Sequence, residues 1–291
     1  MPTKRRIPAL LLALALLFSL AACDLSWLFE EPSPAPTQGV AVHFIDVGQG
    51  DCELVEADGH YLLIDGGERG NEDKVIKYLR RQRVERLDYV VATHPHSDHM
   101  GGLAYGILEA FPVGTVIAPR HSPENTPTTQ TYEKFLDAVS ALAAGGTKAE
   151  YAKPGRAYPL GEASFTVLGP LIEDGRNHNN DSVVLRVDCK NSMARPAAAL
   201  FMGDAEKKVE SALLKEYGAG LKADLLKAGH HGSKTSSNEE FLRVVMPNDA
   251  VISCGVGNSY GHPSQVILER FEALGISVSR TDIDGTVVMY L

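Results

Sequence analysis

Three histidines and one aspartate lie within six residues of this chain, in the run H-P-H-S-D-H at residues 94–99. Imidazole and carboxylate groups together form a ligand set that suits zinc and also manganese or iron. Because residues two apart in an extended segment point the same way, His94 and His96 can present their rings to one ion. A tighter turn after them lets Asp98 and His99 face a second ion. The run therefore predicts a site for two metal ions rather than a polar loop with surface histidines.

Two further positions offer ligands of the same kind. Asp204 follows the apolar run at residues 197–202, and His230 with His231 follows the apolar run at residues 223–228. Taken alone, Asp204 would be interpreted as the N-cap of a helix, a role that is compatible with metal binding. Side chains that follow several strands meet at one edge of a sheet, so we expect these three residues to lie near the H-P-H-S-D-H run.

Short apolar runs of strand-like composition alternate with runs of helical spacing along the chain. The predicted strands are residues 40–46, 52–57, 61–65, 87–92, 114–118, 164–168, 182–188, 197–202, 223–228, 250–253, 277–280 and 286–290. The predicted helices are residues 72–82, 103–110, 131–144, 205–217, 239–245 and 264–274. This interleaving indicates one large α/β domain with two sheets covered by helices.

The first residues predict export from the cytoplasm. Lys4, Arg5 and Arg6 precede an apolar run at residues 9–22, which is short for a membrane span but fits the core of a signal peptide. The run ends in L-A-A-C, which resembles the bacterial lipobox, in which the signal is cleaved before a cysteine that then receives lipid. The alternative is an ordinary signal peptide with a chance cysteine at its end.

On the lipoprotein interpretation the chain has three parts. Residues 1–22 are the signal peptide, residues 23–38 are a proline-rich tether that begins with the lipidated Cys23, and residues 39–291 are the folded domain. We therefore expect the protein on the extracytoplasmic face of the cell membrane, held there by lipid on Cys23. No protein partner is predicted.

Charge and cysteine content exclude several classes of protein. The formal net charge is −9, and loss of the three cations of the signal peptide leaves about −12. This acidity excludes a protein that binds nucleic acid through a broad basic face, so a polyanionic substrate would have to be held locally by metal. Cys52, Cys189 and Cys254 show no C-x-x-C spacing, and we expect buried free thiols rather than disulfides or a zinc–thiolate site.

The run H-P-H-S-D-H resembles the H-x-H-x-D-H signature of the metallo-β-lactamase-fold hydrolases. Further motifs resemble the ComEC-like branch of that family, which includes the C-terminal hydrolase domain of the competence protein ComEC and the phosphorylcholine esterases of bacterial surfaces. These motifs are F-I-D-V-G-Q-G-D at 44–51, L-I-D-G-G at 63–67, N-N-D-S-V-V-L at 179–185, L-F-M-G-D at 200–204, A-G-H-H-G-S-K-T-S at 228–236, N-S-Y-G-H-P at 258–263 and R-T-D-I-D-G at 280–285. The likeness runs from about Val40 to the C-terminus, with the motifs in family order.

The resemblance implies an αββα four-layer sandwich with two divalent metal ions, zinc or manganese, at one edge. Carried over by position, the ligands would be His94 and His96 for the first ion, Asp98 and His99 for the second, Asp204 as the bridge, and one of His230 and His231 for the second ion. The other of the two adjacent histidines would lie close to substrate. Many relatives supply a further histidine to the first ion, whereas this chain has Asn179, Asn180 and Ser182 in that region, with His178 nearby as a candidate.

The resemblance also implies residues that act on substrate. Asp98 and His262 would be catalytic, with His262 stabilising developing charge or protonating the leaving group. The implied substrate-binding residues are Asn180, Ser182, Ser233, Lys234, Asn258 and Tyr260. Lys234 could instead be a solvated loop lysine, and Tyr260 a packed aromatic at the rim. Asp65 would orient a ligand or the loop, and Gln49 and Asp51 would shape the rim through turn hydrogen bonds without a chemical role.

The expected activity is hydrolysis of a phosphodiester outside the membrane, by a hydroxide that the two metals generate. The substrate would be DNA or a phosphate ester of a cell-surface polymer. One alternative keeps the fold but hydrolyses phosphorylcholine esters, lactams or thioesters. Another is a non-catalytic lipoprotein that captures DNA or a surface polymer, which the intact set of predicted ligands disfavours.

Overall fold

A computed structural model describes residues 39–291, and this part of the chain forms fourteen strands and eight α-helices. The strands are β1 Ala41–Phe44, β2 Glu53–Ala57, β3 His60–Ile64, β4 Leu87–Val91, β5 Val113–Ala118, β6 Lys148–Tyr151, β7 Ala157–Leu160, β8 Ala163–Val167, β9 Leu185–Lys190, β10 Pro196–Phe201, β11 Leu225–Lys227, β12 Asp249–Ile252, β13 Ser277–Arg280 and β14 Val287–Tyr290. The helices are α1 Glu72–Arg81, α2 Ser97–Gly102, α3 Leu108–Ala110, α4 Gln130–Ala144, α5 Lys207–Tyr217, α6 Glu239–Val245, α7 Gln265–Ala273 and α8 Thr281–Asp284. A π-helical turn, Leu103–Ile107, joins α2 to α3, and two of the short 3₁₀ turns are His178–Asp181 and Gly229–Gly232.

The strands form two seven-stranded sheets. The order is β14-β1-β2-β3-β4-β5-β6 in the first sheet and β13-β12-β11-β10-β9-β8-β7 in the second. Both sheets are mixed, with parallel pairing from β3 to β6 in the first and from β10 to β13 in the second. Parallel neighbours bring their carboxyl ends to one edge, and the predicted ligands follow β4, β10 and β11.

Three apolar clusters separate four layers of structure. Between the sheets, inward side chains of both form the central core, where the rings of Phe44 and Phe201 stack at 6.3 Å between centroids. The outer face of the first sheet packs against α1, α4 and the π-helical turn, and the outer face of the second packs against α5, α6 and α7. Central strands are apolar on both faces because both faces are covered. The predicted αββα four-layer sandwich is confirmed.

The sequence prediction missed β6 and β7, the last strand of each sheet. β6 reads K-A-E-Y and is largely exposed, and β7 contains Pro159. An edge strand pairs on one side only, so it tolerates polar side chains and proline. Hydrophobic alternation therefore does not reveal it.

The predicted signal peptide, the lipidation site Cys23 and the tether up to residue 38 lie outside the described residues. From residue 39 to the C-terminus, every helix is too short or too polar to cross a bilayer. The thiols of Cys52, Cys189 and Cys254 are free, the first and last of them buried and Cys189 half-buried.

Glu210 on α5 fixes the segment that follows the Gly229–Gly232 turn. Its carboxylate accepts hydrogen bonds from the backbone N of Ser237 at 2.5 Å and of Asn238 at 3.1 Å, and from the side-chain amide of Asn238. Asn238 also caps α6, where its Oδ1 accepts from the backbone N of Phe241 at 3.3 Å. Burial raises the pKa of Glu210 to about 7, although the hydrogen bonds from Asn238 and Ser237 oppose that rise.

The raised pKa predicts a pH dependence of stability. Between pH 4.5 and about pH 7, the folded state holds a proton on Glu210 that the unfolded state has lost. The contribution of Glu210 to the unfolding free energy therefore falls as the pH rises through that range. We expect wild type to lose about 2 kcal/mol more unfolding free energy than Glu210→Gln between pH 5 and pH 7.5. Urea denaturation at both pH values measures the difference.

Glu240→Gln provides the matched control, because Glu240 is an exposed glutamate on α6. Its unfolding free energy should change with pH as that of wild type does. If wild type and Glu210→Gln showed the same change between the two pH values, Glu210 would not be the group responsible.

Candidate metal centre

The H-P-H-S-D-H run begins where β4 ends. His96 has extended backbone, with φ −73° and ψ 150°, and α2 starts at the next residue, Ser97. Asp98 and His99 therefore occupy the first turn of this helix. The change from extended to helical backbone points the two pairs of side chains in different directions.

The second sheet contributes from two strand ends. Asp204 follows β10 after Gly203, whose φ of +51° is left-handed. His230 and His231 lie in the turn Gly229–Gly232 with φ of +50° and +53°, a conformation that non-glycine residues rarely adopt. Such backbone costs roughly 1–3 kcal/mol per residue and is concentrated at functional sites. In this turn the ring of His231 reaches His99 and Asp98, which follow β4 of the first sheet, whereas the ring of His230 reaches Asn179.

His94, His96 and Asp204 form a first group. The Nε2 atom of His94 lies 3.0 Å from Nδ1 of His96 and 3.7 Å from Oδ2 of Asp204. On the far side of the ring, Nδ1 of His94 lies 3.1 Å from the hydroxyl of Thr93, which itself donates to Asp65 and so can accept from the ring. The Nε2 lone pair therefore faces the group. One atom of each of the three residues lies within 4.8 Å of the others, a spacing that one cation can bridge.

Asp51, His99, Asp204 and His231 form a second group by the same measure. Nε2 of His99 lies 3.3 Å from Nε2 of His231 and 3.3 Å from Oδ1 of Asp204. The carboxylate of Asp98 adjoins this group, with its Oδ2 3.3 Å from Nε2 of His231. All four members of the group are buried, and Asp98 is partly exposed at the surface of the cleft.

Hydrogen bonds behind each ring decide which nitrogen faces the second group. Nδ1 of His99 donates to Oδ2 of Asp65 at 2.8 Å, and Nδ1 of His231 donates to the carbonyl oxygen of Ser253 at 2.9 Å. The two Nε2 lone pairs then face each other beside the carboxylate of Asp204, so only acceptors meet there. Buried acceptors repel one another unless protons or a cation lie among them.

Asp204 lies between the two groups. Its Oδ2 is 3.7 Å from Nε2 of both His94 and His230, while its Oδ1 is 3.3 Å from His99 and 3.5 Å from His231. Within residues 39–291 this buried Oδ1 has no hydrogen-bond partner. Burying a carboxylate oxygen without a partner raises the free energy of the folded state unless a cation contacts that oxygen. The histidines and carboxylates around Asp204 are therefore suitable ligands for two divalent ions that share its carboxylate.

The two groups differ in their electrostatics. Burial, followed by the neighbouring His99, lowers the pKa of His94 well below its usual value. Burial also opposes protonation of His99 and His231, but nearby carboxylates, led by Asp204, outweigh it. They raise the pKa of His99 well above its usual value and that of His231 to about 10, the latter with help from Asp51. A divalent ion in the second group would replace these protons, so its binding would release them.

The adjacent histidines His230 and His231 occupy different places. His231 is buried and reaches the second group, whereas His230 is partly exposed at the mouth of the cleft. The ring of His230 lies 3.3 Å from the amide of Asn179 and 3.2 Å from the hydroxyl of Thr235. The sequence left the choice between these histidines open, and of the two it is His231 that has a ring nitrogen within the second group.

A buried ion pair lies behind His231, and the sequence prediction missed it. Nζ of Lys227 is 2.7 Å from Oδ2 of Asp51, and each residue is only 1% exposed. Oδ1 of Asp51 lies 3.2 Å from Nδ1 of His231. Asp51, expected at the rim, is therefore an interior residue that faces a ring of the centre. The signal was available, because Lys227 ends an apolar strand on the same face as the core residue Leu225.

The two groups open into a cleft of about 560 Å³. His262 lines it beside His230, with 5.4 Å between ring centroids, and Tyr260 stacks on His262 at 5.8 Å. Tyr260 is 69% exposed, so its ring is available to a ligand. Burial, followed by His230 and His231, lowers the pKa of His262 to about 4.

Asn180 and Ser182, predicted to bind substrate, are buried beneath the cleft. Oδ1 of Asn180 accepts from the backbone N of Glu206 at 3.3 Å, and the hydroxyl of Ser182 accepts from the backbone N of Asp204 at 3.1 Å. Both side chains are used to hold the chain around Asp204. Asn179 is the residue of this turn that lines the cleft.

The remaining predicted residues also differ in their surroundings. The side chain of Asn258 bonds backbone atoms of Gly255 and His262, so it shapes the loop that carries His262. Ser233 is buried, with its hydroxyl 3.0 Å from that of Thr235, and Lys234 is exposed. His178, the candidate for a further ligand of the first ion, instead places Nδ1 2.8 Å from Oδ2 of Asp181.

The chain matches a known protein family over most of its length. Residues 45–256 match the family model of the metallo-beta-lactamase superfamily. The chain is 32% identical over 267 residues to ComE operon protein 3 of Bacillus subtilis, covering 84% of this chain and 32% of that protein. It is 32% identical over 257 residues to competence protein ComA of Neisseria gonorrhoeae, covering 88% and 33% respectively. The chain thus spans about a third of the length of these relatives.

A solved structure supports the fold. The diiron β-hydroxylase CmlA of Streptomyces venezuelae superposes with a TM-score of 0.56 at 15% identity. The match covers 89% of this chain and 55% of that one. At this identity the likeness extends to the fold alone.

Replacement of Lys227 should leave the buried carboxylate of Asp51 without its cationic partner. We expect Lys227→Met to lower the unfolding free energy of the metal-free protein by about 3–5 kcal/mol. Asp51→Asn in the same chain removes the carboxylate charge that Lys227→Met leaves unpaired. The double variant should therefore lose at least about 1 kcal/mol less unfolding free energy than the two single variants lose in sum. Urea denaturation of wild type, both single variants and the double variant measures this coupling.

The exposed pair Lys74 and Asp46 serves as the control. Its charged atoms are 2.9 Å apart, but the side chains are 51% and 31% exposed. Water screens such a pair, and we expect a coupling below about 1 kcal/mol. A coupling between Lys227 and Asp51 no larger than this one would show that the buried pair does not support the centre.

Proposed function

The chain belongs to the metallo-β-lactamase superfamily, and we propose that it is a metal-dependent phosphodiesterase. The observation that carries the proposal is the pair of ligand groups that share the carboxylate of Asp204 at the floor of an open cleft. Two divalent ions held in this way supply Lewis acidity to phosphoryl oxygens and lower the pKa of water at the centre. Families of this fold are typically hydrolytic, which agrees with that chemistry.

The geometry favours a particular division of the ligands. His94 and His96 with Asp204 would hold one ion, and the other would be held by Asp204 with the ligands Asp98, His99 and His231. His230 lines the cleft, with Nε2 3.7 Å from Oδ2 of Asp204, and would face the bound phosphate. Asp51 is paired with Lys227 and would orient His231 rather than bind an ion.

Neutral polar groups complete the substrate side of the cleft. Among its described lining residues there is no lysine or arginine, so a phosphate there would be bound by the metal centre and by hydrogen-bond donors. His262 lines the cleft and would donate a hydrogen bond to a phosphoryl or leaving-group oxygen. The amide of Asn179 lies beside His230, and the exposed ring of Tyr260 stacks on His262. Both line the cleft, where they would contact the groups flanking the phosphate.

DNA is the first substrate that we propose, on the resemblance of the chain to the ComEC-like branch. One of the two relatives is named a competence protein, and both match this chain over more than four fifths of its length. The net charge of −9 disfavours tight binding of a polyanion outside the cleft, so the proposed substrate would be held locally at the metals. The resemblance to the ComEC-like branch implies single-stranded DNA. The predicted lipid on Cys23 would place this activity on the extracytoplasmic face of the membrane. A phosphate ester of a surface polymer presents the same chemistry and is tested beside DNA.

Loss of the shared carboxylate should abolish turnover. We expect wild type loaded with zinc or manganese to hydrolyse bis-p-nitrophenyl phosphate, and Asp204→Asn to show only background rates with less bound metal. The full-length chain, kept in mild detergent because of its predicted lipid anchor, is assayed in parallel on single-stranded DNA and p-nitrophenyl phosphorylcholine. His60→Ala is the control. It removes a histidine that is 52% exposed at the start of β3, and its rate of turnover should match that of wild type.

The possible outcomes separate the candidate functions. Preference for DNA supports a nuclease, and preference for the choline ester supports a surface esterase. If metal-loaded wild type hydrolysed none of the three substrates, the phosphodiesterase proposal would be wrong, and lactams and thioesters would be tested next. A protein that binds no metal would instead fit a capture lipoprotein.

Replacement of His262 should lower turnover and leave the number of bound metal ions unchanged. We expect His262→Ala to lower kcat by about 10²-fold, because a hydrogen-bond donor to the reacting phosphate is lost. Steady-state kinetics and metal analysis of the same preparations measure the two effects. Tyr260→Phe keeps the stacked ring and is the control for packing in this loop. Unchanged kcat in His262→Ala would remove this residue from the chemistry.

A further inference from the structure

A second cluster of metal-binding side chains lies beside the two-ion centre. It consists of His121, His178 and Asp181, and one ligand atom of each lies within 4.8 Å of the others. His121 lies in the loop after β5, and the other two are the first and last residues of the His178–Asp181 turn. The proposed mechanism uses none of these three side chains.

One carboxylate oxygen faces both rings. Oδ1 of Asp181 accepts from the backbone N of Asp174 at 2.6 Å, which leaves Oδ2 for the histidines. This Oδ2 lies 2.8 Å from Nδ1 of His178 and 3.6 Å from Nδ1 of His121. The second distance is too long for a hydrogen bond. It is close to the roughly 3–3.5 Å that separates ligands bound to one zinc ion at about 2.0–2.2 Å. The 2.8 Å distance is that of a hydrogen bond, which a bound ion would replace.

The burial of His121 adds an independent observation. Its side chain is 1% exposed and that of Asp181 is 2% exposed. In the described part of the chain, neither ring nitrogen of His121 has a hydrogen-bond partner. A buried polar group without a partner is unfavourable by about 1–3 kcal/mol. An ion between the rings would satisfy Nδ1 of His121 and the free lone pairs of Asp181 together.

We propose that His121, His178 and Asp181 bind a third divalent transition-metal ion, separate from the two-ion centre. Two imidazoles and one carboxylate form a three-residue ligand set that zinc commonly accepts, with a further position open to water. Magnesium and calcium prefer sites built from oxygen ligands, so this set selects against them.

The third ion connects two elements that border the cleft. It joins the loop after β5 to the turn that carries Asn179, whose amide reaches the ring of His230. The ring of His178 lies 6.5 Å from that of His96, so the third ion is a close neighbour of the first group. The ion therefore fixes the position of Asn179 at the edge of the cleft.

Metal stoichiometry tests the proposal. Full-length protein is stripped with a chelator, titrated with zinc and, separately, with cobalt, and the bound metal per chain is measured by mass spectrometry after gel filtration. We expect His121→Ala to bind one ion per chain fewer than wild type. In an Asp204→Asn background, which disables the two-ion centre, the same substitution should still remove one ion. The outcome therefore does not depend on whether the protein hydrolyses phosphodiesters.

Two further variants keep the test decisive. His178→Gln changes a side chain that is 22% exposed, so it disturbs folding less than a change at His121 and should also remove one ion. His60→Ala is the matched control, because His60 lies 3.3 Å from the carboxylate of Asp88 without a third ligand, and it should bind as many ions as wild type. Circular dichroism checks the fold of each variant. If folded His178→Gln and His121→Ala bind as many ions as wild type, the third site does not exist.

Discussion

The buried carboxylate of Asp204, shared by two groups of histidines, is the constraint on which the rest of this structure depends. The residue is 2% exposed, and its two oxygens face different rings. A carboxylate removed from water in this way is unfavourable by several kcal/mol unless positive charge or hydrogen-bond donors surround it. The buried carboxylate is therefore tolerated only if the neighbouring elements fix the histidine rings and leave space for cations between those rings and Asp204.

The support comes from behind the rings and from both sheets. Asp65, fixed by the backbone N and hydroxyl of Thr93, accepts from His99, and Asp51 with its partner Lys227 lies behind His231. Each of these contacts leaves an Nε2 atom directed toward the centre. These hydrogen bonds and ion pairs within the chain therefore help to fix the orientation of the rings at the centre.

The same arrangement links affinity to reactivity. The cleft lacks fixed lysine or arginine among its described lining residues, and the chain as a whole is acidic. Under the proposed function, a phosphodiester would therefore be attracted to this surface mainly by metal ions at the centre, where those ions could act on it. Left-handed backbone at His230 and His231 is the conformational cost of bringing the ring of His231 to the second group and the ring of His230 to the cleft.

The sequence by itself determined the layered fold and the cluster of candidate ligands, because hydrophobic periodicity and the H-P-H-S-D-H spacing act within single elements. It did not reveal the edge strands β6 and β7, which carry little periodicity. Only the tertiary structure decided that His231 rather than His230 reaches the second group, that Asp51 pairs with Lys227, and that His121 meets a turn more than fifty residues away. These pairings depend on how the loops of two sheets meet, and spacing along one strand carries no information about the distance to another.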